Sequence, residues 1–300
     1  MSLPPDRIAE SFSIQGLWSR VRHGSIIKAS TLPFLIILTL FVLAAAFPNL
    51  FSNHQPDQIN LLHRLEPPLF HSNGSVYLLG TDELGRDVYS RMIYGARVSL
   101  MVSAAAVLIS GTIGGAFGVL AGYYQKTIGS LIMRFADIVL SVPFLLLAIL
   151  TVAVLGPNLI NLILVLSMTR WPRYTRVAYG QTLSVVNQDF VKSSKSLGAT
   201  PSRLIATHIF PEVIPSLIVV ATLEVGLMIM FEAALSFLGL GVQPPNPSWG
   251  SMLTEGQQYI YSAWWLATFP GLAIFLVVLS VNLLGDHVRD RLDPKNTNRR

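Results

Sequence analysis

Cysteine is absent from the 300 residues of this chain, and charged residues are scarce, at 12% of the total. Without cysteine the chain has no disulfide framework and no thiolate metal site. Soluble domains usually carry about a quarter charged residues, whereas this chain is 52% hydrophobic. The composition therefore favours several membrane spans joined by loops over a soluble protein of two domains.

Motifs for catalysis are also absent. The sequence contains no G-x-x-x-x-G-K-[ST] loop to hold nucleotide phosphates, no HExxH pair and no serine within G-x-S-x-G. The six histidines form no close pair in the sequence. We therefore expect no enzymatic or metal site in this chain, and no ATP hydrolysis of its own.

Apolar stretches of about 20 residues for each helix predict six transmembrane helices. These stretches cover residues 30–47, 98–125, 138–169, 209–237 and 265–284. The third stretch is long enough for two helices, and Gly156-Pro157-Asn158 predicts a tight turn between them. The predicted fold class is an all-α membrane protein with six spans and both termini on one side.

Lysine and arginine are distributed unevenly along the predicted bundle. Seventeen of the 21 lie in the N-terminal tail, in the turn after the second span, in the interval 170–203 and in the C-terminal tail. Cytoplasmic segments carry such an excess, so tails 1–29 and 286–300 and the interval 171–208 are predicted to be cytoplasmic. The net charge of +5 thus indicates topology rather than a nucleic-acid or specific lipid site.

Residues 48–97 are too polar to span a membrane and too long for a simple turn, so they form the predicted extracytoplasmic segment. Residues 81–83 suit the start of a helix, and Asp87 and Arg91 are spaced i, i+4. These features predict a short amphipathic helix on the membrane surface with a solvated Asp87–Arg91 ion pair. Contact with an extracytoplasmic partner is the alternative.

Five glycines in the second predicted span are arranged at four-residue spacing. They are Gly111, Gly114, Gly115, Gly118 and Gly122. A helix stripe with so few side-chain atoms allows a second helix to approach closely. We expect tight helix packing along this stripe; a pore lined by backbone is the alternative.

The polar interval 171–208 has the pattern of a structured loop. Residues 170–186 extend the fourth helix, and Asn187 or Asp189 suits the cap of a short helix that follows. The sequence 198–201, Gly-Ala-Thr-Pro, predicts a bend, after which residues 202–208 start another helix.

This interval resembles the cytoplasmic loop of inner-membrane permease subunits of bacterial ABC importers. In that family, EAA and Gly are followed by nine residues and I-x-L-P. Gly198 and Pro211 have the required spacing of thirteen, with His208 at the Ile position and Phe210 at the Leu position. The EAA triplet reads Lys192-Ser193-Ser194, so a base replaces the acid.

Five longer blocks are similar, in order, to the C-type permease of the dipeptide, oligopeptide and nickel group. The blocks cover residues 80–100, 133–150, 189–199, 231–250 and 269–294. The resemblance implies the type I ABC importer permease fold in the bacterial cytoplasmic membrane, with a five-helix core at 98–285. Di- or oligopeptides are the implied substrates, and nickel or another small solute is the alternative.

The resemblance also implies a set of partners. These are a homologous B-type permease, two cytoplasmic ATPase subunits that use ATP and Mg²⁺, and an extracytoplasmic solute-binding protein. The chain itself would bind no cofactor and no nucleic acid, and membrane lipid would surround it. The rival interpretations are a secondary transporter, whose uptake would survive ATP depletion, and a structural or signalling membrane subunit.

In this family the cytoplasmic loop forms a coupling helix that docks in a cleft of the ATPase. The resemblance therefore implies apolar contacts through Phe190, Val191 and Leu197, and a sharp exit at Gly198. The implied coupling residues are Asp189, Phe190, Val191, Lys192, Lys195, Leu197, Gly198, Ala199, Arg203 and Pro211. Lys192, Lys195 and Arg203 would form a basic rim for acidic groups of the partner. A simple connector with a solvated basic face is the alternative.

Glu224 and Glu232 are carboxylates within a predicted span. A charge in hydrocarbon is costly, so both are expected to face protein or water. Eight residues along a helix leave them roughly 80 degrees apart. One of them is a candidate for lining the translocation path and the other for pairing across the permease dimer; a hydrogen-bonded packing role is the alternative.

Overall fold

The computed structural model describes residues 31–52, 54–72 and 75–292, and most of them are helical. The predicted N-terminal tail, 1–29, and residues 293–300 lie outside the described residues. The longer helices are α1 (Leu32–Ala46), α2 (Val88–Tyr123), α3 (Thr127–Ser141), α4 (Phe144–Leu155), α5 (Leu159–Val186), α6 (Asp189–Ser196), α7 (Phe210–Phe237), α8 (Trp249–Gln257) and α9 (Trp265–Leu292).

Shorter elements connect these helices. Pro48–Phe51 forms one α-helical turn and Leu61–His63 one 3-10 turn, and both precede an antiparallel hairpin of β1 (Phe70–Ser72) and β2 (Ser75–Tyr77). Before α7, the helical turn Pro201–Leu204 continues into a π-helical turn at Ile205–Ile209. The segment 48–87 is therefore not helical throughout, and it folds over one end of the bundle.

Helix α2 corrects the prediction of a separate amphipathic surface helix before Val98. The helix is continuous from Val88 to Tyr123, a length of 36 residues. Asp87 is its N-cap, and the Asp87 carboxylate accepts a hydrogen bond from the Ser90 N–H at 3.0 Å. Since capping takes up the Asp87 side chain, the predicted solvated Asp87–Arg91 pair does not form, and Arg91 is buried with other partners.

The segment between α2 and α5 also differs from the prediction, which started a span at Ile138. Helix α3 already begins at Thr127, and α3 and α4 meet at an angle of 88°. The bend falls at Val142, whose backbone is extended, just before Pro143. A residue that precedes proline avoids the helical conformation, which explains the break. The predicted turn at residues 156–158 is confirmed, because α4 ends at Leu155 and α5 begins at Leu159.

The glycine stripe of α2 packs against α5, as expected. A Cβ atom added to Gly118 would lie 2.5 Å from the Thr175 carbonyl oxygen and from the Ala178 Cβ. A Cβ atom on Gly122 would lie 2.5 Å from the Thr182 Cβ. The two helices therefore approach so closely that a methyl group does not fit between them.

Helix α8 lies between α7 and α9, in a connection for which no helix was predicted. Ser248 and Ser251 form a capping box at its start, each side chain bonding to the other residue's N–H. Trp249 is fully buried, and its indole N–H donates to the Met92 carbonyl in α2 at 3.0 Å. Helix α8 is thus built into the bundle.

Within the described part of the chain, three helical stretches are long and apolar enough to cross a membrane: α2, Pro201–Phe237 and Trp265–Asp290. The bent pair α3–α4 adds a fourth if it is one span. Helix α1 has 15 residues, about 22 Å of rise against a hydrocarbon core of about 30 Å, and α5 contains three arginines. The count of six spans therefore stays a prediction.

The C-terminal part of the chain also differs from the predicted division at residue 285. Helix α9 continues to Leu292, so residues 286–292 of the predicted tail are helical. Polar residues at this end do not stop the helix, because none of residues 286–292 is glycine or proline.

Candidate functional site

The predicted coupling helix is present as α6, an eight-residue helix between α5 and the turn that leads into α7. Its N-cap position is Gln188, so neither Asn187 nor Asp189 has the predicted capping role. Asp189 lies in the first turn and Lys195 in the last. Both charges are stabilised by the helix dipole, which favours acids at the start and bases at the end.

The apolar side chains of this loop divide into exposed and buried ones. Leu197 is 89% exposed and Phe190 is 42% exposed. The Phe190 ring meets the His208 ring edge to face at 5.8 Å. In the chain alone, Leu197 and Phe190 are therefore open to contact by a partner protein.

Val191 is an exception to the predicted set of contacts. It is only 2% exposed and packs in a core cluster of its own chain with Val119 and Leu204, among others. The residue anchors α6 to the bundle, since its apolar surface is already covered. The prediction that Val191 contacts the ATPase is therefore corrected to an internal packing role.

The polar residues of the predicted set surround α6 on its solvent side. Asp189, Lys192, Lys195 and Arg203 are all exposed. Lys192 lies 4.0 Å from the Asp189 carboxylate, which is a weak contact at such exposure. The position of the missing acid therefore holds a lysine whose charge is open to solvent.

Gly198 ends α6 with a left-handed backbone, φ +85°. The N–H groups of Gly198 and Ala199 donate to the carbonyls of Lys195 and Ser194 at 3.0 and 3.1 Å. This arrangement satisfies the last carbonyls of the helix and needs a residue without Cβ. The predicted sharp exit at Gly198 is confirmed. The chain then continues through the helical turn Pro201–Leu204, and Pro211 follows the π-helical turn Ile205–Ile209 directly, in the first turn of α7.

Glu224 of α7 pairs with Arg173 of α5 inside this chain. The Arg173 Nη1 and Glu224 Oε1 atoms are 3.0 Å apart, with exposed side-chain fractions of 52% and 1%. One turn before Arg173, the Arg170 guanidinium lies 4.3 Å from the centre of the Phe231 ring, a favourable cation–π arrangement. The charges therefore connect the two helices that flank α6 in sequence.

Glu232 is fully buried and is satisfied by hydroxyl groups of its own chain. Its carboxylate accepts hydrogen bonds from Ser99 at 2.8 Å and Ser236 at 2.7 Å. Ser236 in turn accepts a bond from Ser248, the cap of α8, at 3.3 Å. This network joins α2, α7 and α8, so the proposal that Glu232 faces a partner or the path gives way to the packing alternative.

A second buried charge cluster was missed in the sequence. Arg91 donates to both Glu255 oxygens at 2.6 and 3.0 Å and also pairs with Asp82. Arg86 contacts the same two carboxylates at 2.6 and 3.1 Å. The only indication of this cluster in the sequence is Glu255, an isolated acid in an apolar region. The cluster holds α8 against the start of α2.

No group of three or more His, Asp or Glu side chains suited to a metal ion occurs within the described ranges.

Residues 114–298 match the family described as the binding-protein-dependent transport system inner membrane component. The chain belongs to this family. It is an ABC importer permease, a transport component distinct from the ATPases of such systems, and membership implies ATPase and substrate-binding partners. This assignment also sets aside the secondary transporter and the signalling subunit.

Curated relatives of this permease share about two fifths of its residues. The di/tripeptide transport system permease protein DppC of Pseudomonas aeruginosa (strain UCBPP-PA14) is 42% identical over 95% of this chain and 93% of that protein. The dipeptide permease DppC of Escherichia coli (strain K12) is 44% identical over 87% and 86%. The probable D,D-dipeptide permease DdpC of the same strain is 40% identical over 87% and 86%.

Solved structures of ABC importers share the fold. The inward-facing MetNI methionine ABC transporter has a chain with a TM-score of 0.55 and 20% identity, covering 67% of this permease and 96% of that chain. An amino acid ABC transporter crystallised with histidines gives a TM-score of 0.50 at 17% identity, covering 67% and 94%. The all-α type I ABC importer permease fold predicted above is confirmed.

Proposed function

We propose that this permease forms half of the translocation pathway of an ATP-driven importer of di- or oligopeptides in the bacterial cytoplasmic membrane. A homologous B-type permease forms the other half. Two cytoplasmic ATPase subunits use ATP and Mg²⁺, and an extracytoplasmic binding protein delivers the solute. Both termini and α6 lie on the cytoplasmic side, while α8 and the hairpin lie outside.

The relatives support a peptide as the substrate. Three permeases named for di- or tripeptides or D,D-dipeptides match 87–95% of this chain at 40–44% identity. Identity over nearly the whole length includes the bundle and the outer segments, where a solute would pass. Nickel or another small solute is the alternative substrate. Uptake assays with a dipeptide and with each of these solutes distinguish the two possibilities.

The exposed helix α6 is the observation that supports coupling. It presents Leu197 and part of Phe190 to solvent on a surface edged by Lys192, Lys195 and Arg203. An apolar centre with a basic rim suits docking in a partner cleft with acidic borders. A segment that only connected two helices would not need such a surface, so we assign α6 the role of docking on the ATPase.

Coupling follows from the way α6 is attached. Val191 anchors it among residues of α2, α5 and α7, so a displacement of α6 by the ATPase is transmitted to these helices rather than absorbed by the loop. Arg173 and Glu224 join α5 and α7 further along. ATP-driven movement of α6 thereby changes the half-pathway between inward and outward openings.

Replacement of Gly198 tests this coupling. Gly198→Val places a β-branched residue at φ +85°, which costs about 1–3 kcal/mol of backbone strain, so we expect α6 to leave its docking position. Uptake of a labelled dipeptide by proteoliposomes that contain all subunits should fall about tenfold, equivalent to about 1.4 kcal/mol on the rate-limiting step. Basal ATP hydrolysis should remain.

Gly180→Val is the matched control. Gly180 lies within α5, and a Cβ atom added there meets nothing within 4 Å, so uptake should remain normal. Normal uptake in Gly198→Val would contradict the role of α6. Absence of dipeptide uptake by the unmodified importer would instead contradict the proposed substrate.

A further inference from the structure

An open cavity of about 430 Å³ lies at the predicted outer end of the bundle. Four separate parts of the chain surround it: residues 55–57, the first turns of α2, the start of α5 and residues 245–247 of the α7–α8 connection. Its size is within the range of about 300–1,000 Å³ typical of small-molecule sites.

The polar groups of this cavity, here called the outer cavity, include one acid and one base. Polar side chains that line it are Gln55, Asp57, Tyr94, Arg97 and Asn246. Among the described residues, neither Asp57 nor Arg97 takes part in an ion pair within 4.0 Å. The cavity thus offers an anion and a cation that do not neutralise each other.

Four other charges at this end of the bundle are already paired. Asp82, Arg86, Arg91 and Glu255 form the buried cluster described above. Tyr94 is fixed at the cavity wall, because its hydroxyl donates to Asn49 at 2.5 Å. Arg64, Glu66 and Glu83 also take part in no ion pair among the described residues, but none of them lines the outer cavity, so Asp57 and Arg97 are the unpaired acid and base at this cavity.

We infer that the outer cavity receives a short zwitterionic peptide, with Arg97 binding its carboxylate and Asp57 its ammonium group. A guanidinium binds a carboxylate through two parallel hydrogen bonds, and a carboxylate accepts from an ammonium group. Gln55 and Asn246 supply amide groups suited to the peptide bond. This inference rests on the proposed function, and it assigns to the permease a site that the solute occupies before it enters the pathway.

Direct binding tests the site without the binding protein. The two permeases and their two ATPase subunits are placed in phosphatidylglycerol nanodiscs, which contain no zwitterionic lipid headgroup, and Ala-Ala binding is followed by saturation-transfer NMR. Arg97→Gln and Asp57→Asn should each weaken binding about 3- to 10-fold, because each removes one charged hydrogen bond whose strength is reduced by solvent exposure. Arg64→Gln and Glu83→Gln, charge changes elsewhere on the outer segment, should leave binding unchanged.

Capped peptides show which charge binds which end. Ala-Ala amide lacks the carboxylate, so Arg97→Gln should not weaken its binding further; N-acetyl-Ala-Ala lacks the ammonium group, so it should be insensitive to Asp57→Asn. Testing each variant with each capped peptide separates the two contacts, as a double-mutant cycle does. Equal affinities for all variants, or the same loss for every peptide, would overturn the inference.

Uptake by proteoliposomes with the binding protein separates this inference from the proposed function. If the unmodified importer takes up Ala-Ala but the NMR affinities do not depend on Asp57 and Arg97, the site is wrong and the function stands. If the unmodified importer neither binds nor takes up Ala-Ala, peptide import fails and the inference fails with it.

Discussion

Arg91 shows how one buried side chain can hold two distant segments together. It is 4% exposed and contacts both oxygens of Glu255, 164 positions away in the sequence. Removing a charge from water is costly, and two carboxylates nearby compensate for that cost. Loss of Arg91 alone would leave Asp82 and Glu255 with only Arg86 as a cation.

The Arg91→Met variant should therefore be strongly destabilised. We expect a loss on the order of 3 kcal/mol in the free energy of unfolding, because the buried Asp82 and the partly buried Glu255 then share a single cation, Arg86. Asp137→Asn breaks a pair with Arg176 whose side chains are 58% and 53% exposed, and it should cost less than about 1 kcal/mol. Thermal unfolding in detergent measures both; equal losses would contradict the role of burial.

At the scale of elements, the contact between α2 and α5 depends on glycine. Gly118→Ala would place a methyl group 2.5 Å from the Thr175 carbonyl oxygen and the Ala178 Cβ, so the helices must separate. Overpacking of this kind costs about 1–3 kcal/mol. Gly180→Ala, in open space on α5, should lose nothing and gain up to about 1 kcal/mol of helix propensity. Thermal unfolding distinguishes them, and an unaffected Gly118→Ala would contradict the close approach.

The same two helices show what a sequence can predict about such a bundle. Glycine spacing predicted the packing stripe on α2, and the Gly156-Pro157-Asn158 turn and the Gly198 bend were placed correctly, since each depends on local backbone chemistry. Helix α8 was not predicted. Its nine residues are stabilised by contacts with α9, α7 and α2 rather than by a periodic pattern of their own.

Side-chain partners across the bundle were the least predictable part of the site. The four-residue spacing predicted an ion pair between Arg91 and Asp87. In the folded chain, Asp82 and Glu255 contact Arg91 instead, and Asp87 caps α2. The family resemblance implied that Val191 contacts the ATPase, yet this side chain is covered by its own chain. Spacing along one helix does not specify which face a neighbouring helix covers.

At the scale of the whole molecule, the absence of cysteine makes the orientation of the chain directly testable. Leu197 is 89% exposed on the proposed cytoplasmic side, and Tyr261 is fully exposed in the α8–α9 connection on the proposed outer side. A single cysteine at either position is then the only thiol in the chain. A membrane-impermeant maleimide reports which side each residue occupies.

We expect Tyr261→Cys to react in intact spheroplasts and Leu197→Cys only in inside-out vesicles, because basic segments are retained in the cytoplasm. The reverse pattern would overturn the orientation. Co-expression with the ATPase subunits should slow labelling of Leu197→Cys in inside-out vesicles, since a docked α6 buries that residue, and should leave labelling of Tyr261→Cys unchanged. Orientation and docking are thus separated: the choice of membrane side reports the first, and protection by the ATPases reports the second.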